Sequence, residues 1–97
     1  MDTGHIIAAD LFSAHHQIEI TFIHRLHDYG LLELTMIDGR PYLALDQLPA
    51  LERMIRLHYD LDINIPGIET ITHLLERNAQ LKEEVRQLKN RLSIYNG

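Results

Sequence analysis

The feature that most constrains this chain is a heptad repeat at its C-terminal end. Side chains suited to a helix core recur every seven residues at two positions, one formed by Ile71, Asn78, Val85 and Leu92 and the other by Leu74, Leu81, Leu88 and Tyr95. A helix over residues 71–95 is about 37 Å long, which is more than a chain of 97 residues can cover with its own domain. The repeat therefore predicts a coiled-coil helix that pairs with a second copy.

Asn78 supports this interpretation of the repeat. A buried asparagine lowers stability but penalises wrong registers and stoichiometries, because its amide must find a polar partner. The alternatives are a helix that folds back on its own domain and a helix that frays at the end of a monomer. The sequence leaves parallel and antiparallel pairing open.

The residues before the repeat follow the pattern of a helix-turn-helix with a wing. The segment "HIIA" at residues 5–8 predicts a short strand, after which Asp10 is a candidate cap for a helix to about His16. A second helix follows almost at once and is expected to stop at Gly30. The segment "ELTMIDGRPYLAL" then predicts a β-hairpin around Asp38 and Gly39, a strong two-residue turn signal.

A third helix is predicted from a cap at Asp46 to about Tyr59, with Pro49 in its first turn and Leu48, Leu51, Ile55 and His58 facing inward. Pro66 and Gly67 mark the start of the last helix. The expected fold is mainly α: a winged helix-turn-helix domain over residues 1–67, with a small β-hairpin wing, and a coiled-coil dimerisation helix over residues 68–97.

The second helix has the position of a DNA-reading helix but not its chemistry. At 100° per residue its inward stripe is predicted to be Ile18, Phe22, Leu26 and Tyr29. Its outward face then holds Ile20, Ile23, His24 and His27, edged by Asp28. Base readout needs bidentate donors and phosphate contact needs bases, so this face is predicted to bind a protein. The alternative is that Ile20 or Ile23 packs under the N-terminal strand or against the coiled coil.

The charge is unevenly spread and also disfavours DNA. Residues 1–70 carry four bases and eleven acids, a balance of −7, whereas residues 71–97 carry five bases and three acids, a balance of +2. DNA binding draws much of its affinity from lysine and arginine at phosphates. An acidic domain would instead attract a basic protein surface.

Several kinds of chemistry lack residues to perform them. The chain has no cysteine, which excludes disulfides, thiolate metal sites and cysteine nucleophiles. It has no phosphate-binding glycine loop, nucleophile elbow or evident carboxylate pair, so we expect a protein that is not an enzyme and needs no cofactor. A metal site at His24 and His27 with His15 and His16 is conceivable, but no HExxH-like spacing supports it. Charges interrupt every apolar run, and we expect a cytoplasmic protein without membrane contact.

The order and spacing of these features resemble the MerR family of bacterial regulators over nearly the whole chain. The resemblance rests on "DYGLL" (residues 28–32), "DGRPY" (residues 38–42) and "LDQLPALERMIRLHYDLDINIPGIETITHLL" (residues 45–75). The last of these, with "LKEEVRQLKNRL" (residues 81–92), is similar to the chaperone-modulator branch of CbpM-like proteins. In that branch a Pro-Gly-Ile element precedes a helix rich in Leu, Glu, Lys and Arg.

The resemblance implies a regulator that binds the J-domain of a CbpA-like or DnaJ-like co-chaperone and damps its activity. J-domains present a basic helix, and the encounter would be steered by acids such as Asp28, Glu52, Asp60 and Asp62. The alternatives are a dimeric DNA-binding transcription regulator and an adaptor for another protein. DNA-binding members carry an Arg-Tyr-Tyr-like triplet where this chain has His24, Arg25 and Leu26, and the wing here retains only Arg40. DNA is therefore the less favoured partner.

Overall fold

The computed structural model describes residues 5–96, and Asn96 by its backbone alone. Its helices and strands are, in chain order, β1 (Ile6–Ala8), α1 (Ala9–His16), α2 (Ile20–Asp28), β2 (Thr35–Ile37), β3 (Arg40–Ala44), α3 (Leu48–Ile55) and α4 (Ile65–Asn96). A 3-10 turn, Leu45–Gln47, precedes α3, and a π-helical turn, Arg56–Asp60, follows it. The predicted fold class is confirmed, since this is a mainly helical winged arrangement with a long C-terminal helix.

The two short helices α1 and α2 are joined by a tight turn. Gln17 closes α1 in the left-handed conformation (φ 57°), and the Ile18 amide donates to the Ser13 carbonyl over 3.0 Å. This hydrogen bond pairs a carbonyl that the end of a helix would otherwise leave free. The chain then restarts as a helix at Ile20, which gives the close pair of helices that the sequence predicts.

Gly30 ends α2 as predicted. Its φ of 74° is a conformation that glycine adopts without strain. The Gly30 amide donates to the His27 carbonyl over 2.9 Å, and the Leu31 amide donates to the Leu26 carbonyl over 3.0 Å. The chain consequently turns away from α2 towards the wing.

The predicted hairpin is confirmed and forms part of a three-stranded antiparallel sheet. The strand order is β1-β3-β2, with Thr35 opposite Tyr42 in the hairpin and Ile7 opposite Leu43 on the other side of β3. Asp38 and Gly39 at the hairpin turn both have positive φ, 50° and 77°, which matches the twist of a two-residue hairpin. The predicted strand near the N-terminus is thus real, and it covers the second edge of β3.

The hydrophobic core draws on every helix of the fold. Its fully buried large side chains are Ile23, Leu26, Leu43, Leu51, Ile65 and Ile68. The last two lie in the first turns of α4, so this helix belongs to the domain at its start and leaves it further along. The predicted division at residues 67 and 68 stays a prediction, and residues 1–4 and Gly97, which it includes, lie outside the described residues.

Two predicted helix caps are wrong. Ala8 precedes α1 and no side chain caps that helix, because Asp10 lies inside its first turn and accepts hydrogen bonds from the Leu11 amide and from Arg40. Asp46 lies in the 3-10 turn, and α3 also begins without a side-chain cap. Pro49 does occupy the first turn of α3, as predicted. The 3-10 turn is instead tied to the chain before β2, where the Gln47 amide exchanges two hydrogen bonds with the backbone of Glu33.

Most of α4 stands clear of the domain. Ile71 is half-buried, but the later heptad side chains are exposed in the single chain: Leu74, Asn78, Leu81, Val85, Leu88, Leu92 and Tyr95. Their exposed fractions range from 42% for Leu81 to 87% for Tyr95 among the apolar and aromatic members. The helix therefore does not fold back on its own domain. None of the described helices is long and apolar enough to cross a lipid bilayer.

Candidate protein-contact surface

The predicted apolar surface on α2 requires a correction. Ile23 is completely buried in the core, and Ile20 is half-buried and packs against it. The prediction that Ile23 faces outward is therefore wrong. Because α2 extends only from Ile20 to Asp28, Ile18 and Tyr29 lie outside the helix, and its buried stripe consists of Phe22, Ile23 and Leu26.

The buried stripe of α2 differs from the predicted one at both ends. Phe22 and Leu26 are buried as predicted, and Ile18 is half-buried against the core from the connecting turn. Tyr29, expected inside, is 40% exposed, because the helix has already ended there. The core of α2 is consequently shorter than the periodicity suggested.

The exposed face of α2 is polar. His24, Arg25, His27 and Asp28 are all exposed, and His27 Nδ1 lies 3.9 Å from the nearer carboxylate oxygen of Asp28. Arg25 is the one side chain of this set with the charge and the donors that a phosphate or a guanine edge needs. This surface is thus neither the apolar patch that the sequence predicts nor a basic reading helix.

The arginine of the wing is already paired. Arg40 Nη2 lies 3.0 and 3.2 Å from the two carboxylate oxygens of Asp10, and its guanidinium carbon lies 5.8 Å from the centre of the Tyr42 ring. The hydrogen bond from Arg40 holds the pKa of Asp10 below its ordinary value, and the same bond raises the pKa of Arg40. The wing base thus interacts with an acid of its own domain, which reduces what it offers to a phosphate.

An exposed turn next to α4 combines apolar and acidic side chains. It consists of residues 60–62, which we name the DLD turn. Leu61 is 64% exposed, and Asp60 and Asp62 on either side of it are exposed as well. Tyr59, which precedes the turn, is 44% exposed. Leu61 therefore offers an apolar contact between two negative charges.

Backbone hydrogen bonds fix the position of the DLD turn. The Leu61 amide donates to the Arg56 carbonyl over 3.3 Å, and the Ile63 amide donates to the Leu57 carbonyl over 3.0 Å. Asp62 has a left-handed φ of 58°, a conformation that aspartate tolerates better than most residues. The turn is thus presented in one defined backbone shape rather than as a loose loop.

Aromatic residues that precede the DLD turn contact α2 and the residue before it. The His58 ring stacks on Phe22 with 4.6 Å between ring centres, and its Nδ1 lies 2.9 Å from the Ile63 carbonyl oxygen. The Tyr59 hydroxyl accepts a hydrogen bond from the Glu19 amide over 3.3 Å. His58 is half-buried, in line with the prediction that it faces the core side of its helix.

Sequence reasoning selected Asp60 and Asp62 but overlooked Leu61. The available signal was the pattern itself, because a leucine between two aspartates in a segment that also breaks the helix has little chance of reaching the core. The other predicted members of the contact surface, which are Ile20, His24, His27 and Asp28, lie on α2.

The histidines do not form a metal centre in the described residues. Among residues 5–96, no group of three or more histidine or carboxylate side chains is arranged to hold a metal ion. His16 stacks on Phe12 with 4.1 Å between ring centres, and His15 meets His16 edge to face. A cleft between α1 and α3, lined by His16, Glu52, Ile55 and Arg56, has a volume of about 220 Å³, which is smaller than sites for drug-sized ligands.

The pair α1 and α2, followed by the β2–β3 hairpin, defines a winged helix-turn-helix protein. The chain belongs to the MerR HTH family of regulatory proteins, and the sequence model of that family matches residues 7–90. Members of this family are regulators rather than enzymes.

One curated protein carries the comparison further. The chain is similar to the chaperone modulatory protein CbpM of Salmonella arizonae, with 48% identity over 42 residues. This segment covers 43% of the present chain and 42% of the CbpM chain, so the match spans less than half of the relative. No solved structure matches the chain.

Proposed function

We propose that this protein is a cytoplasmic chaperone modulator that binds the J-domain of a CbpA-like or DnaJ-like co-chaperone and damps its activity. It acts as a homodimer joined through α4. The similarity to a chaperone modulatory protein supports the proposal, although that similarity covers only part of each chain. The surface chemistry of the domain supports it independently.

The observation that carries the proposal is the DLD turn. Attraction between charges mainly raises the association rate. Tight binding also needs an apolar side chain that becomes buried at the centre of the contact. Leu61 meets this requirement, since it is exposed on a fixed turn and flanked by Asp60 and Asp62. A basic helix of the kind that J-domains present is the complementary partner.

The revised surface differs from the one that the sequence predicts. Ile23 no longer contributes, because it lies in the core. His24, His27 and Asp28 on α2 remain candidates for the polar rim of the contact, with Ile20 at its half-buried edge. Leu61 replaces the two isoleucines as the apolar anchor.

The test measures binding of the protein to a purified J-domain. Asp60→Lys is expected to slow association severalfold, because it reverses a charge that faces the basic partner. Leu61→Ala is expected to speed dissociation by about tenfold or more, the usual effect of truncating an apolar anchor. Asp62→Asn removes the other negative charge of the DLD turn. Asparagine, like aspartate, tolerates the left-handed backbone conformation found at this position.

Asp46→Lys is the matched control. Asp46 is also exposed and lies in the 3-10 turn before α3, and its reversal changes the net charge as much as Asp60→Lys does. The proposal requires that this control bind normally. Equal losses for both reversals would indicate only a general effect of net charge, and an absence of any J-domain binding by the native protein would refute the proposal.

A DNA-binding regulator is the second candidate, and the fold is the observation that favours it. The helix-turn-helix frame places α2 where a reading helix lies, and Arg25 is exposed on it. Under this function, Arg25→Ala should abolish a DNA affinity that falls steeply with salt. Retention of a J-domain protein from a nuclease-treated lysate, at both low and high salt, would favour the modulator.

A further inference from the structure

Tyr59 is an exposed aromatic side chain that three contacts hold in one position. Its hydroxyl accepts a hydrogen bond from the Glu19 amide over 3.3 Å. Its ring meets Phe22 edge to face with 5.4 Å between ring centres, and it meets His58 in the same way at 4.9 Å. Even so, Tyr59 is 44% exposed. A partner would therefore meet a ring that is already restricted in its motion, which lowers the entropic cost of the contact.

Carboxylates adjoin this ring from two elements. Asp60 follows Tyr59 in the chain, and Glu19, whose amide binds the hydroxyl, precedes α2. Both acids are exposed, and the Glu19 carboxylate accepts a hydrogen bond from the Thr21 hydroxyl over 3.2 Å. None of the described ion pairs engages either acid. A positive charge brought to the Tyr59 ring would thus be attracted by two unpaired carboxylates.

The chain does not supply that positive charge itself. Among residues 5–96, no lysine or arginine lies over the Tyr59 ring, whereas the Tyr42 ring already has the guanidinium of Arg40 at 5.8 Å. Arg56, the base in the same π-helical turn as Tyr59, lines the cleft between α1 and α3. The negative face of an aromatic ring attracts a cation within about 6 Å of its centre. At Tyr59 such a cation has to come from another molecule.

We propose that Tyr59, with Glu19 and Asp60 beside it, binds a lysine or arginine side chain of the protein partner through a cation–π contact. The inference rests on the proposed function, because the partner surface is taken to be the basic helix of a J-domain. It adds a second recognition site to the apolar anchor Leu61. A partner whose basic side chains are replaced would lose this site even if its apolar contact with Leu61 remained.

The spacing of the two sites suits a helical partner. Tyr59 and Leu61 are two residues apart, a separation that the backbone spans in at most about 7 Å. Side chains three or four positions apart on a helix have a similar spacing of about 5–6 Å. One helix face can therefore place an apolar residue on Leu61 and a cation on Tyr59. The pair of sites selects a helix that carries these two residue types one turn apart.

Two substitutions at Tyr59 separate a cation–π contact from simple apolar burial. Tyr59→Phe keeps the ring and its negative face but loses the hydroxyl, whereas Tyr59→Leu keeps apolar area and loses the face. Affinity for a purified J-domain should stay within about threefold of native for Tyr59→Phe and fall by roughly fivefold to tenfold for Tyr59→Leu. Equal affinities of the two variants would indicate apolar burial alone and would overturn the cation site.

Tyr29→Leu is the matched control for Tyr59→Leu. Tyr29 is 40% exposed and also adjoins an aspartate, Asp28. In the part of the chain that the structure describes, its side chain makes no hydrogen bond or ring contact that would hold it in place. Its replacement should change the affinity for the J-domain by less than about twofold, as most surface positions do. Equal losses at the two tyrosines would overturn the specific role of Tyr59.

A double-mutant cycle identifies the cation on the partner. Each lysine or arginine in the basic helix of the J-domain is replaced in turn by methionine, which keeps much of the length but not the charge. One replacement should weaken binding to the native protein by about fivefold and have little further effect on Tyr59→Leu, because both changes remove the same contact. Additive effects for every partner cation would overturn the cation–π contact.

NMR gives a signature that a purely structural role of Tyr59 would not produce. The methylene protons of a lysine or arginine that lies over an aromatic ring shift upfield through the ring current. This shift should appear in the J-domain when it binds the native protein or Tyr59→Phe, and it should be absent with Tyr59→Leu. Binding without the shift would overturn this inference alone. A J-domain that does not bind the native protein at all would overturn the proposed function and this inference with it.

Discussion

At the scale of single residues, the pair of Arg40 and Asp10 joins the wing to α1. Both side chains are about half exposed, so the pair contributes little to the free energy of unfolding. Its importance is positional, because it holds the wing arginine over Tyr42 and against the first helix. An arginine in this arrangement has its charge partly neutralised by Asp10, which weakens its attraction for a phosphate.

The pKa of Asp10 reports this pair directly. A carboxyl whose pKa is lowered in the folded state adds stability above its unfolded value, and this contribution is lost as pH falls through the lowered pKa. NMR titration should therefore place the midpoint of Asp10 below the ordinary value of 3.8. In Arg40→Gln the midpoint should return towards 3.8. Glu83, whose pKa is lowered by Arg86, serves as the unaffected control. An unchanged Asp10 midpoint in Arg40→Gln would contradict the pair.

Ile23 is the residue at which the observed core of α2 differs most from the predicted one. Because its side chain is completely buried, Ile23→Ala should lower the free energy of unfolding by about 2–5 kcal/mol. The neighbouring exposed His24 is the control, and His24→Ala should change it by less than about 0.5 kcal/mol. Chemical denaturation measures both values. Equal and small effects would mean that Ile23 is not part of the core.

At the scale of elements, the sequence predicts correctly those that follow from a local signal with a single physical cause. Gly30 and the Asp38-Gly39 turn require left-handed backbone, and few residue types other than glycine, asparagine and aspartate supply it. The heptad repeat likewise predicts one long helix, which extends over 32 residues. These elements could be predicted because each depends on its own sequence alone.

The elements that depend on exact boundaries could not be predicted. At 100° per residue, the buried stripe of α2 is centred about 50° from the predicted one, because Ile18 and Tyr29 lie outside the helix and Ile23 joins Phe22 and Leu26. The π-helical turn Arg56–Asp60, which lies between α3 and α4, was not predicted from the sequence. The DLD turn is therefore a product of packing that periodicity does not reveal.

The backbone amides in the exposed part of α4 should be well protected from exchange only when the helix is paired. A single amphipathic helix without a packed face is marginal in water, whereas burial of its stripe protects the backbone amides. Hydrogen exchange of residues 79–95 should therefore slow markedly as the protein concentration rises through the dissociation constant of the dimer. Amides of α2, which lie in the domain core, should exchange at the same rate throughout. Exchange in α4 that does not depend on concentration would contradict pairing.

At the scale of the whole molecule, charge is divided between domain and helix. Residues 1–70 carry −7 and residues 71–97 carry +2, so a basic partner is attracted to the domain rather than to the exposed part of α4. The association rate with a J-domain should fall as salt rises, while the dissociation rate stays nearly constant. Stopped-flow measurements at several salt concentrations separate the two rates. An association rate that is independent of salt would contradict steering by charge.

The long α4 also determines how the molecule behaves hydrodynamically. The radius of gyration of a single chain is 17.8 Å, whereas about 12.5 Å is typical of a compact chain of this length. A compact protein with the same radius would have roughly 250 residues. A monomer would therefore leave a sizing column early, at a volume that resembles that of a compact dimer. Elution volume alone would thus assign a false stoichiometry, and mass must be measured by a method that is insensitive to shape.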